Sequence, residues 1–259
     1  MTNEEFPGPR GDQIFCPVCA AVATLFNVVD FNKSCDEARG TFLPSAGIPV
    51  RYFLCSKCGF CFAPEIYRWS MQEFSNRIYN DDYKFVDPDY LELRPRTNAQ
   101  MLKNVFASRV LDIRHLDYGG GNGLLSSELF GAGWDSTSYD PFVDGPLPPN
   151  LGRFNLVTCF EVFEHVPDVN ELISRLYALA KVDGIVLFST FLSDGNLKNS
   201  AQPDWWYAAP RNGHISLFSS RSLALLGRKV GFEFRSFSPN LHAFWRSFPA
   251  WAAGALGLA

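Results

Sequence analysis

Hydrophobic and polar positions along the chain change period several times. Leu25-Phe26-Asn27-Val28-Val29 and Val50-Arg51-Tyr52-Phe53-Leu54 are short runs rich in β-branched and aromatic side chains. Separated by a Pro/Gly-containing loop over 39–49, they predict two strands of a small β module. From residue 64 to 109 the spacing turns helical, with Met71, Phe74 and Ile78 at i, i+3 and i+7, then Ala99, Leu102, Val105 and Phe106. Beyond that, strands alternate with helices. The pattern predicts a strand near Ile113 and Leu116, a helix over 124–130 closed by Gly131 and Gly133, and a strand over 134–139. A buried strand over 154–160, a helix over 169–180, a turn at Gly184, a strand over 185–190 and a last helix before Gly231-Phe232 follow. This alternation predicts an α/β fold whose sheet has helices on both faces.

The first sheet strand runs into Leu116-Asp117-Tyr118-Gly119-Gly120-Gly121-Asn122-Gly123. Strand, glycine turn and helix in that order form a nucleotide cradle, because side chains there would block a ligand from the backbone and the turn requires positive φ. Asp140, roughly 20 residues further on at the end of the next strand, falls where nucleotide-binding folds keep a ribose-binding carboxylate.

Seven cysteines lie at 16, 19, 35, 55, 58, 61 and 159. Cys16-Pro17-Val18-Cys19 and Cys55-Ser56-Lys57-Cys58 are two C-x-x-C knuckles, each able to grip one face of a tetrahedral ion. Cys16, Cys19, Cys55 and Cys58 therefore predict a closed, structural zinc site. Cys35 and Cys61 are spare thiols that either replace a ligand or pack; Cys61, between Phe60 and Phe62, is assigned to packing.

The net charge of −4 and pI near 5.6 argue against a dominant nucleic-acid surface and favour a small-molecule partner. No apolar run reaches the ~20 residues of a membrane span. A polar beginning with Glu4 and Glu5 lacks the pattern of a secretion signal, so a cytoplasmic protein is expected.

Leu116 to Gly123, then Tyr139-Asp140-Pro141, then Phe154-Asn155-Leu156-Val157-Thr158-Cys159-Phe160-Glu161-Val162-Phe163-Glu164-His165-Val166-Pro167-Asp168 together resemble the class I S-adenosylmethionine-dependent methyltransferases over about residues 110–240. The resemblance implies a Rossmann-like sheet and a cofactor site at Asp117, Gly119, Gly121, Gly123, Asp140, Phe160 and Glu161. Only 13 residues, four of them prolines, separate Asp140 from Phe154, so the sheet is expected to be one strand short. The adenine-facing acidic residue is then missing, with Phe142 and Cys159 as substitutes. With the cysteine module in front, the chain resembles methyltransferases of sugars, nucleotide sugars and glycan precursors. The sugar C-methyltransferases carry Glu-His where this chain has Gly213-His214, which leaves oxygen or nitrogen acceptors open.

The expected division is a zinc module over 1–63, a helical lid over 64–109, the methyltransferase domain over 110–245 and an apolar tail over 246–259. The tail is expected to pack on its own domain, form a homodimer contact or touch a membrane surface. His214 and His165 are the candidate bases, since histidine titrates near working pH. Glu164 is read as a residue of a helix N-terminus. Tyr79, Tyr83, Arg94, Trp206 and Arg211 are the candidate acceptor contacts, aromatic faces for a sugar or base and guanidinium groups for a phosphate. The rival readings are a zinc-ribbon RNA methyltransferase and a cofactor-binding protein without turnover.

Overall fold

The computed structural model describes residues 13–197 and 205–256. Strands β1 (Gln13–Phe15), β2 (Val22–Asp30), β3 (Pro49–Cys55) and β4 (Cys61–Phe62) precede helices α1 (Met71–Arg77), α2 (Tyr83–Val86) and α3 (Leu93–Val105). Then come β5 (Arg114–Tyr118), α4 (Leu124–Gly131), β6 (Asp135–Tyr139), α5 (Pro141–Asp144) and β7 (Phe154–Phe160). The chain continues through α6 (Val169–Leu179), β8 (Ala180–Ser189), β9 (Ser216–Leu217), α7 (Ser220–Val230), β10 (Glu233–Ser236), β11 (Leu241–Trp245) and α8 (Ala250–Ala253). These elements form two compact units, both discontinuous in sequence. The first comprises described residues of 1–88, 163–171 and 191–226; the second comprises 89–162, 172–190 and those of 227–259.

The first unit is built on an antiparallel sheet in the order β1-β2-β3-β4-β9. The two runs predicted as strands pair as β2 and β3, with Val29 opposite Val50. Its core gathers Val50, Tyr52, Cys61, Ile66, Phe74, Ile78, Trp205, Tyr207 and Ile215. Of the helical triplet, Phe74 and Ile78 are buried, whereas Met71 faces solvent. Helix α1 starts where Ser70 Oγ accepts from Glu73 N–H and Glu73 Oε2 accepts from Ser70 N–H at 2.7 Å, a reciprocal cap for two amides that lack helical partners.

The second unit holds a six-stranded sheet in the order β10-β11-β8-β7-β5-β6. Strands β6, β5, β7 and β8 run parallel, and β11 joins β8 antiparallel. This is a Rossmann-like fold, and no strand lies between β6 and β7, as the short proline-rich connection requires. The direction of winding reverses between β5 and β7, the place where open α/β sheets bind ligands beyond the carboxyl ends of their strands.

Gly184 departs from expectation. Instead of turning, it lies inside β8, which already begins at Ala180. A Cβ at Gly184 would approach the carbonyl oxygen of Phe154 to 2.8 Å, so the glycine permits close approach to β7 beside the register shift between Phe154 and Leu156. The apolar tail packs within its own unit: Trp251 lies 5.6 Å from Phe106 and donates to the Asp183 carbonyl at 3.3 Å, and Ala252 is buried. Residues 257–259 lie outside the described residues.

Packing around Phe244 gives a test. Its ring stacks on Phe188 at 4.6 Å and on Phe232 at 5.6 Å, and a Cβ on Gly227 of α7 would sit 2.6 Å from it. Alanine gains about 1 kcal/mol of helix propensity over glycine, but forcing a methyl into a filled core costs typically 1–3 kcal/mol. Gly227→Ala is therefore expected to lower the urea midpoint and Tm. An unchanged or raised midpoint would show that the Phe244 ring gives way freely.

Candidate active site

The glycine turn leaves the carboxyl end of β5 with Gly119, Gly121 and Gly123 all at positive φ, between 56° and 77°. Gly119 N–H donates to the Tyr139 carbonyl at 2.8 Å, fastening the turn to β6. A Cβ on Gly119 would collide with Val162 at 2.4 Å and one on Gly120 with Asp117 Oδ2 at 2.6 Å. A Cβ on Gly121 would meet nothing within 4 Å, so its outer face is open for a ligand to reach the backbone.

Two carboxylates border this turn. Asp140, at the end of β6, accepts from Gly121 N–H through Oδ2 at 2.9 Å and from Phe142 N–H through Oδ1 at 2.8 Å, capping α5. Glu161 follows β7 with φ 55°, a left-handed conformation that costs about 1–3 kcal/mol in a side-chain-bearing residue. Its N–H is held by Ser189, and its carboxylate pairs with Arg94 Nη1 of α3 at 3.0 Å. Arg94, expected at the acceptor, thus sits beside the cofactor candidates. Phe160 ends β7 nearly buried, Phe142 stands exposed on α5, and Cys159 is buried.

Asp117 points inward. Burial pushes its carboxyl up to about 6, the Thr158 hydroxyl at 2.7 Å pulls it back, and the charge of Asp140 raises it further. Thr158 Oγ1 has one hydrogen, and with that donated to Asp117 it accepts from His115 Nε2 at 2.9 Å. His115 Nδ1 then accepts from Ser136 Oγ at 2.7 Å, and Ser136 accepts from Ser126 at 2.8 Å. Burial depresses His115 to about 3, consistent with the neutral ring this directed chain needs. Sequence reasoning missed the chain, whose hydrogen-bonded partners are 10 to 43 residues apart.

In the first unit, several predicted residues come together. The His165 and His214 rings lie 4.9 Å apart, and Tyr79 is edge-on to His165 at 6.2 Å and to Tyr83 at 5.1 Å. Tyr83 OH donates to the Asn212 carbonyl at 3.3 Å. Arg211, nearly buried, donates to the Ile78 carbonyl at 3.0 Å and to Asn80 Oδ1 at 3.4 Å, while Trp206 packs on Phe191 at 5.2 Å. Gly213, at φ 87°, answers the departure from the Glu-His pattern: a Cβ there would lie 2.9 Å from His165 Nδ1 and 3.1 Å from Tyr79 OH. Glu164 is not at a helix start. It lies in a short 3-10 turn, fully buried, and accepts from Tyr207 OH at 2.5 Å. Tyr207, one of the aromatic residues expected to face the acceptor, links Glu164 to His214.

The same unit brings the four knuckle cysteines together. Cys16 Sγ lies 3.6 Å from Cys58 Sγ, and Cys19 Sγ lies 3.4 Å from Cys55 Sγ. A tetrahedral ion with zinc–sulfur distances of ~2.3 Å needs sulfurs about 3.8 Å apart, so the four fit one ion with small adjustment. Both knuckles turn alike: Ala20 N–H donates to Cys16 O and Gly59 N–H to Cys55 O, each at 2.8 Å, with Ala20 at φ 59° and Gly59 at 76°. The hydrogen bond across the Cys16–Cys58 contact favours a thiolate at Cys16, below its ordinary range. Cys61 is buried in the core, where burial pushes its thiol up.

Comparison with known proteins identifies the family. Residues 90–236 match the family model of a methyltransferase domain, and the chain belongs to that family. It is 28% identical over 119 residues to a ubiquinone biosynthesis O-methyltransferase of Actinobacillus pleuropneumoniae, covering 35% of this chain and 49% of that one. It is 33% identical over 101 residues to a protein of the same name from Bordetella avium, covering 30% and 42%. The chain spans about half the length of the curated relatives it matches. Among solved structures, an O-methyltransferase family protein from Burkholderia thailandensis superposes with a TM-score of 0.49 at 17% identity, covering 71% of this chain and 67% of that chain.

Asp117 gives a pH test. Its folded pKa is raised from 3.8 to about 6, so the buried charge is without cost at low pH and destabilises the native state increasingly as pH rises from 4 to 6. Asp117→Asn keeps an oxygen for Thr158 and is expected to be more stable than the parent by about 1–3 kcal/mol at pH 7.5, with the gain vanishing near pH 4. Urea denaturation at both pH values measures this; a difference independent of pH would refute it.

Proposed function

We propose that this chain is an S-adenosylmethionine-dependent methyltransferase acting on an oxygen of a small-molecule acceptor. The observation that carries the reading is the glycine turn at the end of β5, open at Gly121 and bordered by Asp140 and Glu161. Asp140 is assigned to the ribose hydroxyls, the backbone of Gly119, Gly121 and Gly123 to the methionine side, and Phe142 and Phe160 to the adenine. The cofactor supplies a methyl group on a sulfonium, ready for in-line displacement. The residues of the chain bind and orient it, and a base removes the acceptor's proton. His214 is assigned as that base, with His165 beside it, and Tyr79, Tyr83, Trp206 and Arg211 as acceptor contacts. An oxygen acceptor is supported by the names of the relatives and by Gly213, which leaves no carboxylate where the sugar C-methyltransferases carry one. Those names lend no support to a sugar, which the resemblance carried by the cysteine module and the aromatic residues had suggested.

Cys16, Cys19, Cys55 and Cys58 are assigned to one structural zinc ion, since four thiolates leave no open position for chemistry. Thiolate ligands fit a reducing compartment, and we place the protein in the cytoplasm. Among the described residues no helix is long and apolar enough to cross a membrane.

Asp140→Ala is expected to weaken cofactor binding by about 1–3 kcal/mol in calorimetry, the range for a hydrogen bond to a charged group. His214→Ala should instead lower turnover at least 100-fold at nearly unchanged cofactor affinity, the scale of a lost general base. The screen covers phenolic, sugar and RNA acceptors. Unchanged affinity in the first variant removes the ribose assignment, and cofactor binding without turnover on any acceptor would make the chain a cofactor-binding protein.

Elemental analysis should find one zinc per chain, and chelation should lower Tm in the wild type. Protein purified without chelator that contains no zinc and is insensitive to chelation would end the zinc assignment.

A further inference from the structure

His214 is fixed by the residue that also holds the nearest buried carboxylate. Its Nδ1 lies 2.8 Å from the Tyr207 carbonyl, and a carbonyl only accepts, so the neutral ring carries its hydrogen on Nδ1 and its lone pair on Nε2. The Tyr207 and His214 rings are 4.1 Å apart. The Tyr207 hydroxyl reaches Glu164 Oε1 at 2.5 Å, and the Glu164 carbonyl accepts from Ile215 N–H, next to His214, at 2.9 Å. One carboxylate oxygen of Glu164 and one ring nitrogen each of His165 and His214 lie within 4.8 Å of one another.

We propose that Glu164 and Tyr207 form a positioning pair for His214: Tyr207 sets its tautomer through its carbonyl and orients Glu164 through its hydroxyl, and Glu164 supplies the negative charge that stabilises the imidazolium of His214. The role rests on the reading of His214 as the base, and it makes Nε2 the atom that receives the acceptor's proton. An anion within 4–6 Å favours the protonated imidazole, and a tyrosine hydroxyl bound to the carboxylate keeps that carboxylate ionised. Cys35 Sγ approaches Nδ1 of His214 to 3.7 Å, but a nitrogen that donates to a carbonyl has no lone pair to accept a thiol proton. Among the described residues, the remaining titratable or charged groups around the ring are Tyr52, whose hydroxyl donates to the His214 carbonyl, Tyr79 and Tyr83 from the α1–α2 region, His165, and Arg211, held by Ile78 and Asn80. Glu164 is the carboxylate among them.

Nitrogen-15 NMR of the histidine rings in the full, zinc-loaded chain tests this without any acceptor. There are four histidines, at 115, 165, 214 and 242, so single substitutions assign every signal. The wild type should show His214 with a protonated Nδ1 and a bare Nε2. Glu164→Gln keeps an oxygen for Tyr207 but removes the charge, and should move the His214 titration midpoint down by about one pH unit, a tenfold loss of proton affinity, with the tautomer retained. Tyr207→Phe keeps the ring and the carbonyl and should produce a shift in the same direction. The double variant should shift no further than Glu164→Gln alone, because Tyr207 acts through Glu164. Should Glu164→Gln fail to fold, Tyr207→Phe carries the test alone. A midpoint that stays put, a bare Nδ1 on His214, or additive shifts would overturn the pair. So would stoichiometric manganese broadening of the His165 and His214 signals, which would make the cluster a cation site. A normal NMR result with no methyl transfer to any acceptor would instead defeat the methyltransferase reading and leave the pair standing.

Discussion

The first unit depends on a pairing of two residues with two. Cys61 and Phe62 of β4 lie opposite Leu217 and Ser216 of β9, across more than 150 positions of chain. Around that short ladder, Ala63 N–H donates to the Ile215 carbonyl at 2.9 Å, Tyr52 OH to the His214 carbonyl at 2.7 Å, and Ser219 Oγ to the Cys58 carbonyl at 2.5 Å. A Cβ on Gly59 would lie 2.8 Å from Ser219 Oγ, so the second knuckle tolerates no side chain there. A slip of one residue would turn Leu217 to the opposite face of the sheet and move His214 off Tyr52. The segment bearing the histidine is thereby the last strand of the cysteine-bearing sheet, and an ion that orders the knuckles orders that strand's partner.

Much of the second unit was legible because its signals are local. The apolar runs of β7 and β8, glycines at the turn after β5 and an acidic residue at the end of β6 each report on their own few neighbours. The absent strand could be counted from the short, proline-rich stretch between Asp140 and Phe154. Gly184 was misplaced because a glycine inside an apolar stretch reads as a turn, whereas here it answers the close approach of Phe154 and Asn155. The His115 chain was hidden for another reason. Ser126, Ser136, His115 and Thr158 look like unremarkable polar residues until the parallel register sets His115 opposite Ser136 on β6 and Thr158 opposite Asp117 on β7. The same holds for β4 and β9, which are too short to show any period.

Gly213 ties the histidine cluster to the kind of acceptor it suits. A glutamate at 213 would have to adopt φ near 87° and push its Cβ to 2.9 Å from His165 Nδ1 and 3.1 Å from Tyr79 OH, so the two rings already fill the space a second carboxylate would take. The carboxylate this cluster does have, Glu164, lies buried on the Tyr207 hydroxyl, where it can influence the charge of a histidine but has no exposed oxygen to offer a substrate. Removing a proton from carbon calls for a strong base in direct contact, because a carbon acid is usually much weaker than an imidazolium. A hydroxyl loses its proton as the new bond to carbon forms, and one histidine of ordinary basicity is enough to take it. On the proposed reading of an oxygen acceptor, the crowding at Gly213 and the choice of acceptor both go with the same close packing of His165, Tyr79 and His214.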